Sequence, residues 1–562
     1  MPSQALQGFH AFARRAAQPV GEVFFLGRAV FEGSYGDNLL DHVVIIAGSA
    51  AAVKHRDSTA RRRPVRATTG CRPLDSHGPI GYYSLMIFRR YGMFVGGIDL
   101  PDEKRPTLAL AIEAVARPQR LLVPLAACAA PLADAAVKPG EMVQPGQRIG
   151  VARYSAGVDV FAPLGGRVQG VCTVAVARWG GFDESPAVEL ADLSDPAGIA
   201  PPRQAQSPDK PARPDFDWQA AGDDELLARL AQGQLTTHRS RPQPLAEFLA
   251  RARAAKCRWT ILNAMDHEPY VSSDHRLLAE FGPEVMEGLA IVARLVGSRN
   301  VIVAADHRRT SHYQPCNAPA ERLGIARIAL PHKYPMGADT ILTKVLTRRE
   351  TPPGRSPLSV GVAMLDAPTC LAVHQWIIRG RRVLGRVVTV AGPGTSRAGN
   401  FWTPFGTPCA ELASLTAGPN PRAGDGPEPT LIHGGPMAGT LCDPRAVVTP
   451  ATGAVLSLEA TQMPLPGPCI RCGWCTDHCP ARLNVAMLND AFELSLVDRA
   501  ALGGALACVE CGVCGYICPA KLPLTQRVKQ LKRQIVALRR AAAQTPPAIT
   551  GLPAGANGSR AG

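Results

Sequence analysis

Two kinds of apolar run alternate between residues 245 and 304. The stretches 245–255 and 285–295 carry apolar residues at helical spacing, and short β-rich runs follow them at 259–262 and 300–304. That alternation predicts an α/β layer on a mainly parallel sheet. Upstream, residues 137–149 place two Pro-Gly turns between short β-branched runs, and residues 158–168 repeat the same grammar. Downstream, a β-rich run at 386–390 and a helix-like stretch at 409–417 predict a small β-plus-helix unit. The glycine-rich turn at 433–439 permits close backbone approach. Near the end, Val528, Leu531, Ile535 and Leu538 fall on one side of a helix.

Other stretches lack such order. Residues 1–92 show poor periodicity and an Arg-rich segment at 54–72, so they read as an N-terminal extension. Glu22, Glu32, Asp37 and Asp41 argue against a mitochondrial presequence, and Met86 or Met93 is the expected true start. Residues 196–222 are rich in Pro and Ala and read as a linker, while the Pro/Ala/Gly-rich tail is expected to be disordered.

A length of 562 residues implies several domains, and 46% hydrophobic with 19% charged residues is globular composition. No run of about 18 apolar residues occurs, so no transmembrane helix is expected. The formal charge of +15 is concentrated near the end, where residues 521–540 hold seven basic residues and no acidic one. Its expected role is a helix packed by its apolar stripe with a solvated basic face. The competing reading is contact with anionic lipid or an acidic partner. No aromatic interleaving accompanies the charge, so nucleic acid is not an expected partner.

The cysteines change the picture most. Cys469, Cys472, Cys475 and Cys479, followed by Pro480, spell C-x2-C-x2-C-x3-C-P, and Cys508, Cys511, Cys514, Cys518 and Pro519 repeat it. This is the bacterial run for two [4Fe–4S] clusters, in which each fourth cysteine serves the other cluster. The expected sets are Cys469, Cys472, Cys475 with Cys518, and Cys508, Cys511, Cys514 with Cys479. Zinc knuckles also use C-x2-C pairs, but they have no use for a duplicated fourth Cys-Pro. Arg471 and Trp474, inside the first loop, are candidates for tuning the cluster or else exposed loop residues. The other eight of the 16 cysteines are scattered, which fits a reducing compartment.

The 137–168 turns look like the barrel-sandwich fold of lipoyl and biotinyl domains. The matching tip, residues 163–166, lacks the modified lysine and reads as a docking module. Taken in order, Gly-Gly-Ile-Asp-Leu-Pro-Asp-Glu-Lys at 96–104, Pro124 with Leu125, and His-Glu-Pro-Tyr at 267–270 form a series of landmarks. It continues through Lys-Tyr-Pro-Met-Gly at 333–337, Arg-Val-Val-Thr-Val at 386–390, Gly-Gly-Pro-Met at 434–437 and the paired cysteine runs. From about residue 94 to 540 the chain resembles the C subunits of Rnf electron-transport complexes, relatives of the flavin-carrying subunit of respiratory complex I. The resemblance implies a multidomain α/β fold: a barrel-sandwich β domain (93–195), the linker (196–222) and an α/β flavoprotein-like domain (223–384). A small β-grasp-like unit (385–450), a helical two-[4Fe–4S] ferredoxin-like domain (451–540) and a tail (541–562) complete it.

Such relatives bind FMN and NADH with a glycine-rich GLGGAGFPT-like loop whose bare N–H groups cradle phosphate. In the corresponding segment, 230–240, only Gly233 survives, and Thr236, Thr237, His238 and Arg239 bring bulk. The N-G-x-E-C-E-P motif becomes residues 263–269, keeping Asn263 and Glu268 but carrying Asp266 for Glu and His267 for Cys. Tyr334 and Gly337 match the family, while Asp339 replaces a Glu. The N-V-x-T motif becomes Asp366 to Thr369, which sets an anion near a phosphate at a cost of roughly 1–4 kcal/mol. Asn263, Asp266, Glu268, Tyr334, Gly337, Asp339 and Thr369 thus read as the remnant of an FMN/NADH site. The losses gather where phosphate and flavin would lie. His267 and His275 fit no zinc spacing and read as surface or hydrogen-bonded histidines.

The resemblance implies a peripheral electron-transfer subunit on the cytoplasmic face of a bacterial inner membrane, coupled to ion translocation. Its partners would be the other subunits of the complex and a ferredoxin-type carrier, while the eroded loop counts against NADH. The alternatives are an NADH-dependent FMN/iron–sulfur oxidoreductase, such as a cobalamin reductase, and a docking scaffold whose clusters only stabilise the fold.

Overall fold

The computed structural model describes residues 94–126, 133–154, 157–178, 181–194, 216–238, 242–416, 429–459 and 465–544. Expectations for residues 1–92, for most of the 196–222 linker and for the tail after 544 lie outside those residues.

Four parallel strands form the sheet of the α/β domain, in the spatial order Ala326–Leu330, Asn300–Asp306, Trp259–Ala264, Val362–Leu365. Side chains alternate along them. Ile261, Ile302, Ile328 and Met364 face helix Asp339–Thr347, whereas Leu262, Val303, Ala363 and Leu365 face helices Ser273–Val296 and Ala367–Ile377. Both faces are covered, which is why these strands read as nearly continuous apolar runs. The two helices on the second face meet at Gly288, where an added Cβ would lie 1.9 Å from the carbonyl oxygen of Cys370. The chain steps outward through the first three strands and then returns to the other side of Trp259–Ala264. In open α/β sheets that reversal sets a crevice at the carboxyl ends of the strands.

A six-stranded mixed sheet has the order Ile112–Ala114, Gly399–Pro404, Gly385–Ala391, Ala454–Leu458, Thr430–His433, Thr440–Leu441. It does not respect the expected limits of 385 and 450. Ala454–Leu458 lies inside the sheet, parallel to Gly385–Ala391, and Ile112–Ala114 joins its edge from the segment assigned to the barrel. Both pairings join strands far apart in sequence, a relation that local pattern does not carry.

The barrel-sandwich comprises a sheet of Leu121–Pro124, Gly181–Ala191, Gly166–Arg178 and Met142–Val143, and a second of Ala133–Ala135, Arg148–Ala152 and Val160–Phe161. Its 163–166 tip is buried. The Arg382 guanidinium sits 3.8 Å from the centre of the Phe161 ring and 4.6 Å from that of Trp376, clamping barrel to α/β domain. Part of the linker is docked too: Phe216, Trp218 and Ala221 pack on the main core, and Arg294 donates to the carbonyls of Trp218 and Ala221.

The cysteine-rich domain is helical and repeats its own backbone. Arg471, Gly473 and Arg482 take left-handed φ values of 55°, 81° and 56°, and Glu510, Gly512 and Lys521 match them at 59°, 83° and 58°. Helix Leu524–Gln544 closes the domain with Val528, Leu531 and Ile535 buried. Its basic face departs from the expected solvated one, because Lys532 is buried against Glu510 and Lys529 donates to the Ala438 carbonyl.

Candidate functional site

Each repeat ends in a one-turn helix that begins just before its third cysteine, Trp474–Asp477 in the first and Val513–Tyr516 in the second. The turn after each fourth cysteine brings it across to the other repeat. One cavity is lined by Cys469, Cys472, Cys475 and Cys518, and the other by Cys479, Cys508, Cys511 and Cys514. The rest of each lining is largely apolar, with Leu483, Val485 and Val528 around the second. Among the described residues, no group of three or more His, Cys, Asp or Glu is placed to hold a single metal ion. Four thiols lining one largely apolar space, with no single-ion geometry among them, instead fit a cube of several atoms. Burial pushes the Cys508 and Cys514 thiols up, to about 11 and about 12. Iron would supply the positive charge that a thiolate there lacks.

The surroundings of the two cavities differ. Around the second, the Leu483 N–H points at Cys479 Sγ (3.4 Å), the Glu510 N–H at Cys508 Sγ (3.3 Å), and the Thr525 hydroxyl lies 3.4 Å from Cys514 Sγ. Lys532 donates to the Cys508 carbonyl at 2.6 Å and pairs with Glu510 at 2.5 Å. Around the first, Thr476 Oγ1 stands 4.0 Å from Cys475 Sγ, and Cys472 is exposed. Arg471 and Trp474 both point to solvent, with Arg471 paired to Asp490 at 2.7 Å.

The remnant nucleotide residues do gather at the carboxyl ends of the parallel strands, but they are occupied with one another. Asn263 Nδ2 donates to the Gly337 carbonyl (2.8 Å) and to Asp339 Oδ1 (3.1 Å). Asp266 Oδ2 lies 2.8 Å from Nδ1 of buried His275. His267 covers Gly337, where an added Cβ would lie 1.9 Å from its Nδ1. Thr369 Oγ1 accepts the His238 N–H at 2.8 Å, and Asp366 caps helix Ala367–Ile377 by accepting the Thr369 N–H at 2.7 Å.

Gly233, in the segment expected to match the glycine loop, has a packing role. A Cβ on Gly233 would strike the Trp376 ring at 2.7 Å, so this glycine admits tryptophan rather than phosphate. Thr237 and His238 are buried beside it, with His238 edge-on to Phe405. Burial, with the nearby Arg386 guanidinium second, presses the His238 imidazole down to about 3. A neutral imidazole offers no cation to a phosphate; Arg239 lies outside the described residues. These residues do not fit a flavin phosphate cradle.

Four of the landmark segments instead meet the backbone that carries the second cavity's cysteines. Tyr334 Oη lies 2.6 Å from both Glu268 Oε1 and the Cys511 carbonyl. One hydroxyl proton cannot serve two acceptors, and burial pushes the Glu268 carboxyl up, so a protonated Glu268 would supply the second. Glu268 Oε2 accepts the Met437 N–H at 3.0 Å. Gly512 lies against Met437, with an added Cβ 2.2 Å from its carbonyl oxygen. Gly97 donates to the His478 carbonyl at 2.9 Å, while Ile98 and Tyr334 exchange backbone hydrogen bonds. Lys104, only 2% exposed, binds the carbonyls of Asp266, Glu268 and Val271. Sequence reasoning missed these roles of Lys104 and Lys532; a lysine inside a Gly- and Pro-rich tag was the available signal for the first.

Three family models match. The RnfC barrel sandwich hybrid domain covers residues 92–189, the Nuo51 FMN-binding domain 244–375, and the 4Fe-4S dicluster domain 465–519. The second match begins beyond the 230–240 segment. The C subunit of the ion-translocating oxidoreductase complex from Rhodobacter capsulatus is 32% identical, over 77% of this chain and 81% of the relative. Its counterpart from Yersinia pseudotuberculosis is 31% identical over 69% of this chain, which spans only 54% of that longer relative. A solved NAD+-reducing [NiFe]-hydrogenase aligns at 15% identity with a TM-score of 0.43, over 62% of this chain and 71% of its own.

Proposed function

The chain belongs to the family of ion-translocating oxidoreductase complex C subunits, and from that we propose that it is the electron-transfer subunit of such a complex, working through two [4Fe–4S] clusters without a flavin. Cys469, Cys472, Cys475 and Cys518 would hold one cluster, and Cys508, Cys511, Cys514 and Cys479 the other. The observation that carries this reading is the exchange of the fourth cysteines, which gives two adjoining cavities four thiols each. Clusters of this type pass single electrons. The protein's own part is to hold the thiolates, to aim the Leu483 and Glu510 N–H groups and the Thr525 hydroxyl at sulfur, and to keep water from the second cavity. Proton-transfer side chains are not required for that task.

The remnant residues Asn263, Asp266, Glu268, Tyr334, Gly337, Asp339 and Thr369 act here as internal framework. No helix among the described residues is long and apolar enough to cross a membrane. The relatives' names support attachment to a membrane complex, whose cytoplasmic face, neighbouring subunits and ferredoxin-type carrier we assign by family likeness.

Anaerobic purification with iron, sulfide and flavin analysis tests the whole reading. Cys472→Ser and Cys511→Ser should each remove one EPR signal and lower the iron content. Unchanged iron in both variants would sink the ligand assignment. Stoichiometric FMN that bleaches with NADH would restore the flavoenzyme reading, and clusters that dithionite cannot reduce would favour the scaffold.

A further inference from the structure

The two halves of the cysteine-rich domain repeat at a fixed offset, so a residue that lines one cavity has a counterpart at the other. A helix begins at the same distance beyond each fourth cysteine, Val485–Glu493 in the first half and Leu524–Gln544 in the second. The second residue of each helix lines a cavity: Ala486 shares one with Cys475, and Thr525 shares the other with Cys514. One position therefore carries a hydroxyl and its match carries none. Thr525 is buried, and its Oγ1 stands 3.4 Å from Cys514 Sγ. A ligand thiolate has no proton to give, so the hydroxyl is the donor. The comparable contact in the first half, Thr476 Oγ1 to Cys475 Sγ, is longer at 4.0 Å and comes from a half-buried residue. Asn489, a polar residue of the first lining, occupies the position of Val528 and is engaged with Glu493 and Arg527.

We propose that Thr525 is a positioning residue that raises the potential of the second cluster relative to the first, with Ala486 as its silent counterpart. This rests on the electron-transfer reading above. A centre held by four thiolates carries more negative charge when reduced than when oxidised. A hydrogen bond to one of the sulfurs stabilises the more negative form more, and so raises the potential. Burial acts the other way, because a shielded site disfavours extra charge. Cys508 and Cys514 lie deep enough that burial pushes both thiols up, whereas Cys472 in the first set is exposed. Burial alone would thus leave the second centre the harder one to reduce. The Thr525 hydroxyl offsets that penalty through Cys514, and Ala486 gives the first centre no such help. Exchange of one electron between the two centres oxidises one and reduces the other, with no bond broken and no proton moved. Their relative potential therefore decides where the electron rests. The Leu483 and Glu510 N–H groups also point at sulfur, but they belong to the backbone, and Thr525 does so through a side chain that one substitution can remove.

The test is an anaerobic redox titration of the full-length, cluster-loaded protein followed by EPR, each signal being assigned by its loss in Cys472→Ser or Cys511→Ser. Thr525→Val keeps the shape of the side chain and removes the hydroxyl. It should lower the midpoint of the second signal and shift the electron's distribution toward the first cluster by about threefold to tenfold. Thr525→Ser keeps the hydroxyl and should titrate like the wild type. Ala486→Ser, which supplies a hydroxyl at the matching place, should raise the midpoint of the first signal instead. The hydroxyl proton should also appear as a deuterium-exchangeable coupling on the second signal that Thr525→Val lacks. A packing role alone would reverse the order, with the Ser variant disturbed and the Val variant near wild type. That reversal, an unchanged second midpoint in Thr525→Val, or equal shifts of both signals would overturn this role for Thr525. Should Thr525→Val fail to assemble the second cluster, Ala486→Ser decides, and an unmoved first midpoint overturns it. Wild-type clusters that dithionite itself cannot reduce would instead overturn the electron-transfer reading, and this proposal with it.

Discussion

In the loop from Cys469 to Cys475, Ile470, Arg471, Cys472 and Trp474 are all exposed; in the loop from Cys508 to Cys514, the matching Val509, Glu510, Cys511 and Val513 are half-buried or buried. The spelling is the same and so are the left-handed backbone positions. What differs is what the rest of the chain places against each copy. Tyr334, Glu268 and Met437 lie against the second loop, the 96–98 segment lies against His478 and Cys479, and Lys532 fills in behind. The motif therefore sets the ligands, while its surroundings make one copy an inner station and the other an outer one. Net charge, hydrogen bonds to sulfur and solvent exposure are the levers on cluster potential, and all three differ between the copies.

The largest effect that separates them should come from Lys532→Met. The Lys532 side chain is 7% exposed and that of Glu510 12%, so removing the cation breaks an ion pair in a shielded site. Breaking a buried pair from one side costs about 3–5 kcal/mol. The expected outcome is a clearly lower temperature for thermal bleaching of cluster absorbance, with the second cluster's EPR signal lost first. Simultaneous loss of both signals at the wild-type temperature would show that Lys532 is not part of the second loop's support.

Tyr334→Phe should act next. It keeps the ring in the apolar cluster with Leu100, Met437 and Val513 but deletes the hydroxyl that Glu268 and the Cys511 carbonyl share. Leaving a buried polar group without its partner costs about 1–3 kcal/mol. The loss should appear in chemical denaturation and as a changed EPR signal for the second cluster alone. A change in both signals would mean that Tyr334 acts through the whole domain rather than through Cys511.

How far the sequence could anticipate this division is instructive. The four-stranded parallel sheet was legible because each strand and its helix carry a local period: 259–262 and 300–304 are short β-rich runs, and 285–295 has helical spacing. The grouping of the cysteines around two cavities was legible because their spacing is itself local. The erosion of the glycine loop was legible residue by residue, yet the reason Gly233 remains was not, since Trp376 lies far away in sequence. The same limit hid the strand Ala454–Leu458 inside the mixed sheet and the burial of Lys104 and Lys532. Each depends on a long-range neighbour. The landmark tags were recognisable as a series, but what Gly97, Glu268, Tyr334 and Met437 share appears only when they are seen against the backbone that carries Cys479 and Cys511.

Arg471→Ala is the mildest change and the sharpest control on the comparison. Arg471 occupies the position matching Glu510, and both residues make an ion pair, Arg471 with Asp490 at 2.7 Å and Glu510 with Lys532 at 2.5 Å. If distance alone decided the strength of a pair, the two should matter alike. They should not, because Arg471 is fully open to water. There the charges are already solvated and salt screens them, so little is lost when one is removed. The thermal midpoint and iron content of Arg471→Ala should match the wild type. A stability loss comparable to that of Lys532→Met would erase the distinction between an open and an enclosed loop.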